Sequence, residues 1–167
     1  RSELTARLAQ AASIESLLQQ RLQFIDRIVA AAWQLCVGEK PGAALVATGG
    51  YGRGELYPLS DIDILVCADE HLQSGIEECA GRFFSLPWDS GLKLGHAVRS
   101  VAQCVEAGKQ DVSTFTALLE TRRLAGDESV FQALKQAMQS PGIYSALDYF
   151  NAKRLEQRQR HAKFHNT

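Results

Sequence analysis

The chain has 167 residues, of which 46% are hydrophobic and 22% charged, and its formal net charge is −1. These proportions are typical of a globular domain with a substantial core, and they argue against disorder. The near-neutral charge offers no basic footprint for DNA or RNA, and the sequence contains neither a membrane-length apolar run nor the layout of a secretory signal. We therefore expect a cytoplasmic protein that binds neither nucleic acid nor a membrane.

The predicted elements alternate between helices and short strands up to residue 99. Ser13 to Val37 has apolar residues every three or four positions, which predicts an amphipathic helix with Ser13 as its N-cap. The apolar run 43–48 predicts a buried strand, and 61–67 predicts a second strand that enters the core from a polar end. A helix over 75–86, a turn over 87–91 and a third strand over 92–99 follow.

After Ser100, a good helix N-cap, the sequence predicts helices alone, separated by glycine-containing turns. The expected helices are 101–108, 112–120, 128–138 and 143–165. The pattern as a whole predicts an α/β domain flanked by helices.

Four glycines fall within six residues, from Gly49 to Gly54, directly after the first predicted strand. Such a loop lets the backbone approach a ligand closely and present N–H groups to anionic oxygens, although it can also be a simple tight turn. Its spacing matches neither the G-x-G-x-x-G fingerprint nor a Gly-Lys-Ser/Thr ending, so we expect neither a Rossmann nor a P-loop site.

Asp61 and Asp63 stand at the start of the second predicted strand. Alternate residues of a strand point to the same side, so the two carboxylates are expected to face one cavity while Ile62 and Ile64 face the other way. Their Cα atoms would lie about 6.6 Å apart, close enough to share metal ions spaced ~3.5–4 Å. Oxygen ligands of this kind suit Mg²⁺. The alternative is two surface aspartates at a strand start, but the nearby glycine loop favours the metal site.

The segment from Gly49 to Asp63, Gly-Gly-Tyr-Gly-Arg-Gly-Glu-Leu-Tyr-Pro-Leu-Ser-Asp-Ile-Asp, resembles the active-site signature of the DNA polymerase β-type nucleotidyltransferase superfamily. Together with 88–100, 111–127 and 157–165, it is similar to the N-terminal nucleotidyltransferase domain of the bacterial protein-PII uridylyltransferase/uridylyl-removing enzymes. The resemblance implies a polymerase β-like α/β (α+β) fold, with a small mixed sheet flanked by helices and a helical C-terminal part.

The same resemblance implies an Mg²⁺-dependent transferase that moves UMP from UTP to a tyrosine hydroxyl of the PII nitrogen-regulatory protein and releases pyrophosphate. It divides the chain into an N-terminal helical segment (1–42), a nucleotidyltransferase core (43–125) and a helical C-terminal extension (126–167). Family members continue with a phosphohydrolase domain that removes UMP and with sensing domains, so we expect this chain to be the N-terminal fragment of a larger protein.

The family's metal and triphosphate positions carry over to four residues of this chain. By resemblance, Asp61 and Asp63 are expected to hold two Mg²⁺ ions as the catalytic pair. Gly49 and Gly50 are expected to let the backbone bind the triphosphate of UTP.

Other site residues are left with alternatives. Arg53 either neutralises phosphate charge or is an exposed loop arginine, and Ser60 either contacts phosphate or caps the turn into the strand. Glu55 is a supporting residue that pairs with Arg53 or another base. The superfamily usually has a third carboxylate, for which Asp89 is the first candidate and Asp111 the second, each being equally readable as a turn or N-cap residue.

Several further residues give weaker signals. His96 is expected to be a core histidine or else to face the site, while His161 and His165 are expected on a solvated helix face. The basic run 153–163 is expected to be solvated too, or to meet UTP phosphates, an acidic partner or the missing domains. Four widely spaced cysteines show no metal-binding pattern and are expected to be reduced and mostly buried: Cys36, Cys67, Cys79 and Cys104.

Two other functions remain open from the sequence. One keeps the fold and the metal pair but uses another nucleotide or acceptor. The other is a non-catalytic nucleotide-sensing module, against which the intact aspartate pair counts. An Asp-x-Asp glycosyltransferase would use a UDP-sugar and has no account of the glycine loop.

Overall fold

The computed structural model describes residues 14–79, 94–140 and 142–164, and within these ranges the strands form one four-stranded sheet. The strands are β1 (Ala43–Ala47), β2 (Ile62–Ala68), β3 (Leu94–Arg99) and β4 (Arg122–Gly126). The helices are α1 (Ile14–Cys36), α2 (Gly49–Gly52), α3 (73–79), α4 (Val101–Gln110), α5 (Val112–Leu119), α6 (Glu128–Met138) and α7 (Ala146–Phe164). A short 3₁₀ turn, Glu70–Leu72, precedes α3.

The sheet has the order β3-β2-β1-β4 and is mixed. β1 is antiparallel to both β2 and β4, whereas β2 is parallel to β3. β1 is buried along its whole length because it lies in the interior of the sheet with helices on both faces. The expected α/β fold with a small mixed sheet is confirmed.

Helices cover the two faces of the sheet with separate hydrophobic clusters. On one face, the apolar stripe of α1, including Ile25, Val29 and Trp33, packs against Ile62 and Ile64 of β2. On the opposite face, α4, α5 and α6 pack against the alternate residues of β1 and β2. The two-residue periodicity of the strands therefore divides the core between the faces.

Most of the predicted elements are present with small shifts at their ends. Ser100 caps α4 through a capping box, in which its hydroxyl accepts the Gln103 N–H and the Gln103 side chain accepts the Ser100 N–H. Some parts of the predictions lie outside the described residues: the N-cap Ser13, the predicted helix beyond residue 79, the turn at 87–91, the start of the third predicted strand at 92–93 and the last residue of the predicted helix 143–165.

The expectation that only helices follow Ser100 is wrong for Arg122–Gly126, which forms the edge strand β4. The segment lacks the apolar alternation that signals a strand, because its strand conformation comes from pairing with β1, with an irregular register between Leu45 and Val46. Gly126 adopts φ +82°, and a Cβ there would come closer than 3.0 Å to the Ala43 carbonyl oxygen. Only glycine fits this close approach.

Among the helices in the described part of the chain, none combines the length and the apolar character that crossing a membrane requires.

Candidate active site

The turn after β1 brings the glycine helix α2 to the polar end of β2. The Thr48 N–H donates to the Asp63 carbonyl oxygen at 3.0 Å, which ties the end of β1 to the start of β2. Gly49 follows with φ +57°, and a Cβ on it would lie 3.8 Å from Asp63 Oδ2. The first turn of the glycine helix therefore lies beside the Asp63 carboxylate.

The aspartate pair has the alternation predicted from sequence. Asp61 and Asp63 are exposed, whereas Ile62 and Ile64 are 1% and 2% exposed in the core under α1. Partial loss of hydration, and then the negative charge of Asp61, raise the pKa of Asp63. A bound cation would stabilise the ionised form of a carboxylate in such surroundings.

Gly95 makes room for this carboxylate on the neighbouring strand. It is the register partner of Asp63 in the parallel β2–β3 pair. A Cβ at Gly95 would lie closer than 3.0 Å to Asp63 Oδ1, a separation that real Cβ atoms essentially never show. The glycine is thus required by the position of the Asp63 side chain.

A cleft of about 400 Å³ opens in front of the carboxylate. Asp63 and β3 line one side of it, and α5 forms the opposite side with Ser113 and Thr114. Arg99 also lines the cleft and supplies a cation on the β3 side. The cleft thus combines a carboxylate, hydroxyl groups and a guanidinium, the groups expected of a site for a metal-bound phosphate ester.

Arg53 is engaged by two carboxylates at the end of the glycine loop. Its Nε donates to Glu55 Oε2 at 2.9 Å, and its Nη1 forms a close ion pair with Glu120. The hydrogen bond to Glu55 and both negative charges raise the pKa of Arg53. The pairing of Glu55 with Arg53 that the sequence suggested is present, while a phosphate role for Arg53 stays a prediction.

The other expected site residues differ in what surrounds them. Ser60 is half-buried after a turn, and its N–H donates to the Tyr57 carbonyl oxygen at 3.0 Å. Asp111 is the N-cap of α5, since its carboxylate accepts the N–H groups of Ser113 and Thr114 at 3.3 and 2.7 Å. These contacts agree with the N-cap alternative for Asp111.

The third carboxylate is not located. Asp89, its first candidate, lies outside the described residues. Across 14–79, 94–140 and 142–164, no cluster of three or more histidine, cysteine, aspartate or glutamate side chains is arranged to hold a metal ion. Within these ranges Asp61 and Asp63 are therefore not part of a three-membered cluster of such side chains.

The weaker signals also have outcomes. His96 is exposed and lines the border of the cleft, so the expectation of a core histidine is wrong. In the β2–β3 register it is paired with Ile64, which lies on the face of the sheet opposite Asp63. His161 is exposed on α7 as expected, while His165 lies outside the described residues. The four cysteines are free, with Cys67 and Cys104 buried and the other two half-buried.

The basic run on α7 is tied to the cleft through one glutamate. Glu156 accepts hydrogen bonds from Lys153 at 2.6 Å, from Arg160 at 3.0 Å and from the cleft residue Ser113 at 2.8 Å. The C-terminal helix is therefore joined to one side of the cleft, although much of its basic surface is exposed as expected.

A polar network behind the glycine helix was not predicted from the sequence. Tyr51 is 1% exposed, and its hydroxyl donates to Asp26 Oδ1 of α1 at 2.8 Å. Arg122 of β4 donates to both oxygens of Asp26 at 2.8 and 3.1 Å. The available signal was Tyr51 itself, which is the only residue of α2 with a side chain.

Comparison with known proteins gives a family match across this region. Residues 32–105 match the family model described as a nucleotidyltransferase domain. The chain is 44% identical over 169 aligned residues to the bifunctional uridylyltransferase/uridylyl-removing enzyme of Stutzerimonas stutzeri, which covers 100% of this chain and 19% of that protein. The proteins of the same name from Vibrio atlanticus and Xanthomonas axonopodis pv. citri are each 42% identical, over 92% and 98% of this chain.

The chain spans only about a fifth of the length of these relatives, 18% of the Vibrio protein and 19% of the Xanthomonas protein. Among solved structures, the crystal structure of a toxin-antitoxin with AMP-PNP matches with a TM-score of 0.41 and 14% identity, over 84% of this chain and 96% of that one. A match this loose carries no information about function.

Proposed function

Because the chain belongs to the nucleotidyltransferase domain family, we propose that it performs Mg²⁺-dependent transfer of UMP from UTP to a tyrosine hydroxyl of the PII protein, with release of pyrophosphate. The observation that carries the proposal is the Asp63 carboxylate beside the first turn of the glycine helix, with the charge of Asp61 near enough to raise its pKa. The uridylyl group and the acceptor are suggested by the name of the relatives and by the sequence resemblance.

The carboxylate pair suits magnesium. Asp61 and Asp63 offer hard oxygen ligands, and the raised pKa of Asp63 reflects burial and a neighbouring negative charge that a cation would relieve. Mg²⁺ commonly binds through one or two carboxylates together with substrate phosphates and water, so a pair without a third acid is a reasonable donor set. We propose that these two side chains hold the two metal ions expected for this chemistry.

When bound, the metal ions would neutralise triphosphate charge and lower the pKa of the acceptor hydroxyl. The chain's own groups would orient the nucleotide. The first N–H groups of a helix have no acceptor within the helix, so the amides of Gly49 and Gly50 are available to phosphate oxygens. The absence of side chains at both positions lets the triphosphate come close to the backbone.

Cations around the cleft would complete the phosphate site. Arg99 lines the cleft on the β3 side. Arg53 would contact phosphate by exchanging one of its carboxylate partners for an oxyanion, and Ser60 would donate its hydroxyl. Glu55 would then support the loop by keeping its hydrogen bond to Arg53.

The transfer step follows from the groups so placed. The oxygen of the tyrosine hydroxyl attacks the α-phosphorus of UTP, the bond from this phosphorus to the bridging oxygen of the β-phosphate breaks, and the hydroxyl proton leaves to solvent. One phosphodiester forms as pyrophosphate departs, so atoms and charges balance. The contribution of the protein is to hold the acceptor, the α-phosphorus and the leaving group in line.

The test is transfer of label from α-labelled UTP to purified PII protein by the full-length protein that contains this chain. The expected result is Mg²⁺-dependent labelling that Asp61→Asn combined with Asp63→Asn reduces by several orders of magnitude while the fold is kept. Glu106→Gln is the matched control, because the contacts of this exposed carboxylate are with Gln110 at 3.1 Å and Lys109 at 3.9 Å, both on its own helix α4.

Labelling that survives the double substitution would show that the aspartates are not catalytic. Labelling of PII from ATP, GTP or CTP in preference to UTP would support nucleotidyl transfer but show that the donor is a nucleotide other than UTP. Tight binding of Mg²⁺-UTP without transfer to any acceptor would favour the nucleotide-sensing alternative.

A further inference from the structure

The position of the glycine helix needs an explanation outside the helix itself. α2 has four residues, Gly-Gly-Tyr-Gly, and a helix this short has no independent stability. Three of its residues have no side chain with which to pack. Tyr51 supplies the only side chain, and it is 1% exposed.

Tyr51 is anchored by two elements on the side away from the cleft. Its hydroxyl donates to Asp26 Oδ1 of α1 at 2.8 Å. Arg122 of β4 makes the bidentate contact with Asp26, and its Nη2 also donates to the Tyr51 carbonyl oxygen at 3.4 Å. The Arg122 guanidinium lies 5.4 Å from the centre of the Tyr51 ring, within the range of a cation–π interaction.

Gly52 fixes the other end of the helix by close contact. A Cβ at Gly52 would come closer than 3.0 Å to the Glu120 carbonyl oxygen. The backbone of α2 therefore rests against the segment that leads into β4, while Tyr51 is bonded to α1 and β4. On its cleft side the same helix places Gly49 next to the Asp63 carboxylate.

The network is polar and partly exposed to solvent, so it differs from the apolar packing of the core. The side chains of Asp26 and Arg122 are 27% and 34% exposed. Burial and the hydrogen bond to Asp26 raise the pKa of Tyr51 above its usual value, so its hydroxyl keeps its proton and remains a donor. Such directional bonds set the angle and position of a helix more sharply than apolar contact does.

We infer that Asp26, Tyr51 and Arg122 are positioning residues for the nucleotide, because together they hold the first-turn amides of α2 at a fixed place beside Asp63. Asp26 lies on α1, before the segment 32–105 that matches the family model. The inference rests on the proposed function. It adds that the affinity for the triphosphate depends on this network, which lies on the side of the glycine helix away from the cleft.

The experiment uses the full-length protein with Tyr51→Phe, Asp26→Ala and the two together. Tyr51→Phe removes one hydroxyl and keeps the ring, so the variant is expected to fold. We expect KM for UTP to rise at least about tenfold in each single variant, the scale of one lost hydrogen bond. KM for PII should not change. The double variant should be no worse than the more affected single variant, because both changes cut the same link.

Tyr57→Phe is the matched control, since Tyr57 lies in the segment that follows the glycine helix but is 55% exposed. It should leave both KM values unchanged. A merely structural role for the network would reduce the amount of folded enzyme, lowering apparent kcat while the surviving molecules kept the wild-type KM for UTP. That result, or unchanged kinetics in Tyr51→Phe, would overturn the inference.

Calorimetric binding of Mg²⁺-UTP and Mg²⁺-ATP separates this inference from the proposed function. If the wild-type protein binds a nucleotide but transfers nothing to PII, the proposed function fails. Weaker binding by Tyr51→Phe would then still support the positioning role, and equal binding would overturn it. A wild-type protein that binds neither nucleotide would overturn both.

Discussion

Gly95→Ala is expected to disable the site by moving one carboxylate. A Cβ at this position lies closer than 3.0 Å to Asp63 Oδ1. Carbon and its neighbours normally separate by ~3.5–4 Å, so the carboxylate must shift by roughly 1 Å or more. Since a displacement of about 1 Å in a reacting group can cost about 100-fold in rate, we expect kcat/KM for transfer to fall by about two orders of magnitude, or about 2.7 kcal/mol.

The fold should survive this substitution. Replacing glycine in a strand recovers about 0.5–1 kcal/mol of backbone entropy, which partly offsets an overpacking cost of about 1–3 kcal/mol. The free energy of unfolding should therefore fall by no more than about 2–3 kcal/mol. Asp63 can yield to the methyl group because its side chain is at the exposed edge of the core.

The assay pairs transfer kinetics in the full-length protein with thermal denaturation. Gly75→Ala is the matched control, because a Cβ there meets only Lys40 Nζ, at 4.0 Å, and lies in helix α3. It should keep wild-type activity and gain up to about 1 kcal/mol of stability. A folded Gly95→Ala variant that transfers at the wild-type rate would refute the reasoning, since the position of the Asp63 carboxylate would then be unimportant.

Two predictions concern stability. Gly126→Ala combines a left-handed φ with a clash against the Ala43 carbonyl oxygen, so it should lower the free energy of unfolding by about 2–4 kcal/mol in urea denaturation. Gly142→Ala should not lower it, because the added Cβ would make only an ordinary contact with Ser140 Oγ at 3.9 Å, and equal midpoints for the two variants would contradict this. Hydrogen bonds led by that from Thr114 lower the pKa of Asp111, so its stabilisation is present above about pH 4 and is lost as pH falls through the lowered pKa. Asp111→Asn should therefore be less stable than wild type by up to about 1 kcal/mol at pH 7 and nearly equal at pH 2, and a constant difference would be inconsistent with a charged cap.

The parts of the site that depend on residues close together in the chain could be predicted from the sequence. The alternation of Asp61 and Asp63 with buried isoleucines follows from the two-residue period of a strand, and the glycine loop adjoins β1 in the chain. The long helix α1 and the N-cap Ser100 were likewise predictable, because apolar periodicity and capping are local properties.

The contacts between distant segments could not be predicted in this way, because they form only when the whole chain is folded. β4 is a strand because it pairs with β1, although its own sequence favours no strand. Gly95 could be assigned to Asp63 only once the β2–β3 register was known. The partners Asp26, Tyr51 and Arg122 are separated by 25 and 71 residues, and no local pattern links them. Hydrogen bonds and close packing of this kind depend on which surfaces the fold brings together, and side-chain periodicity along one segment does not encode that choice.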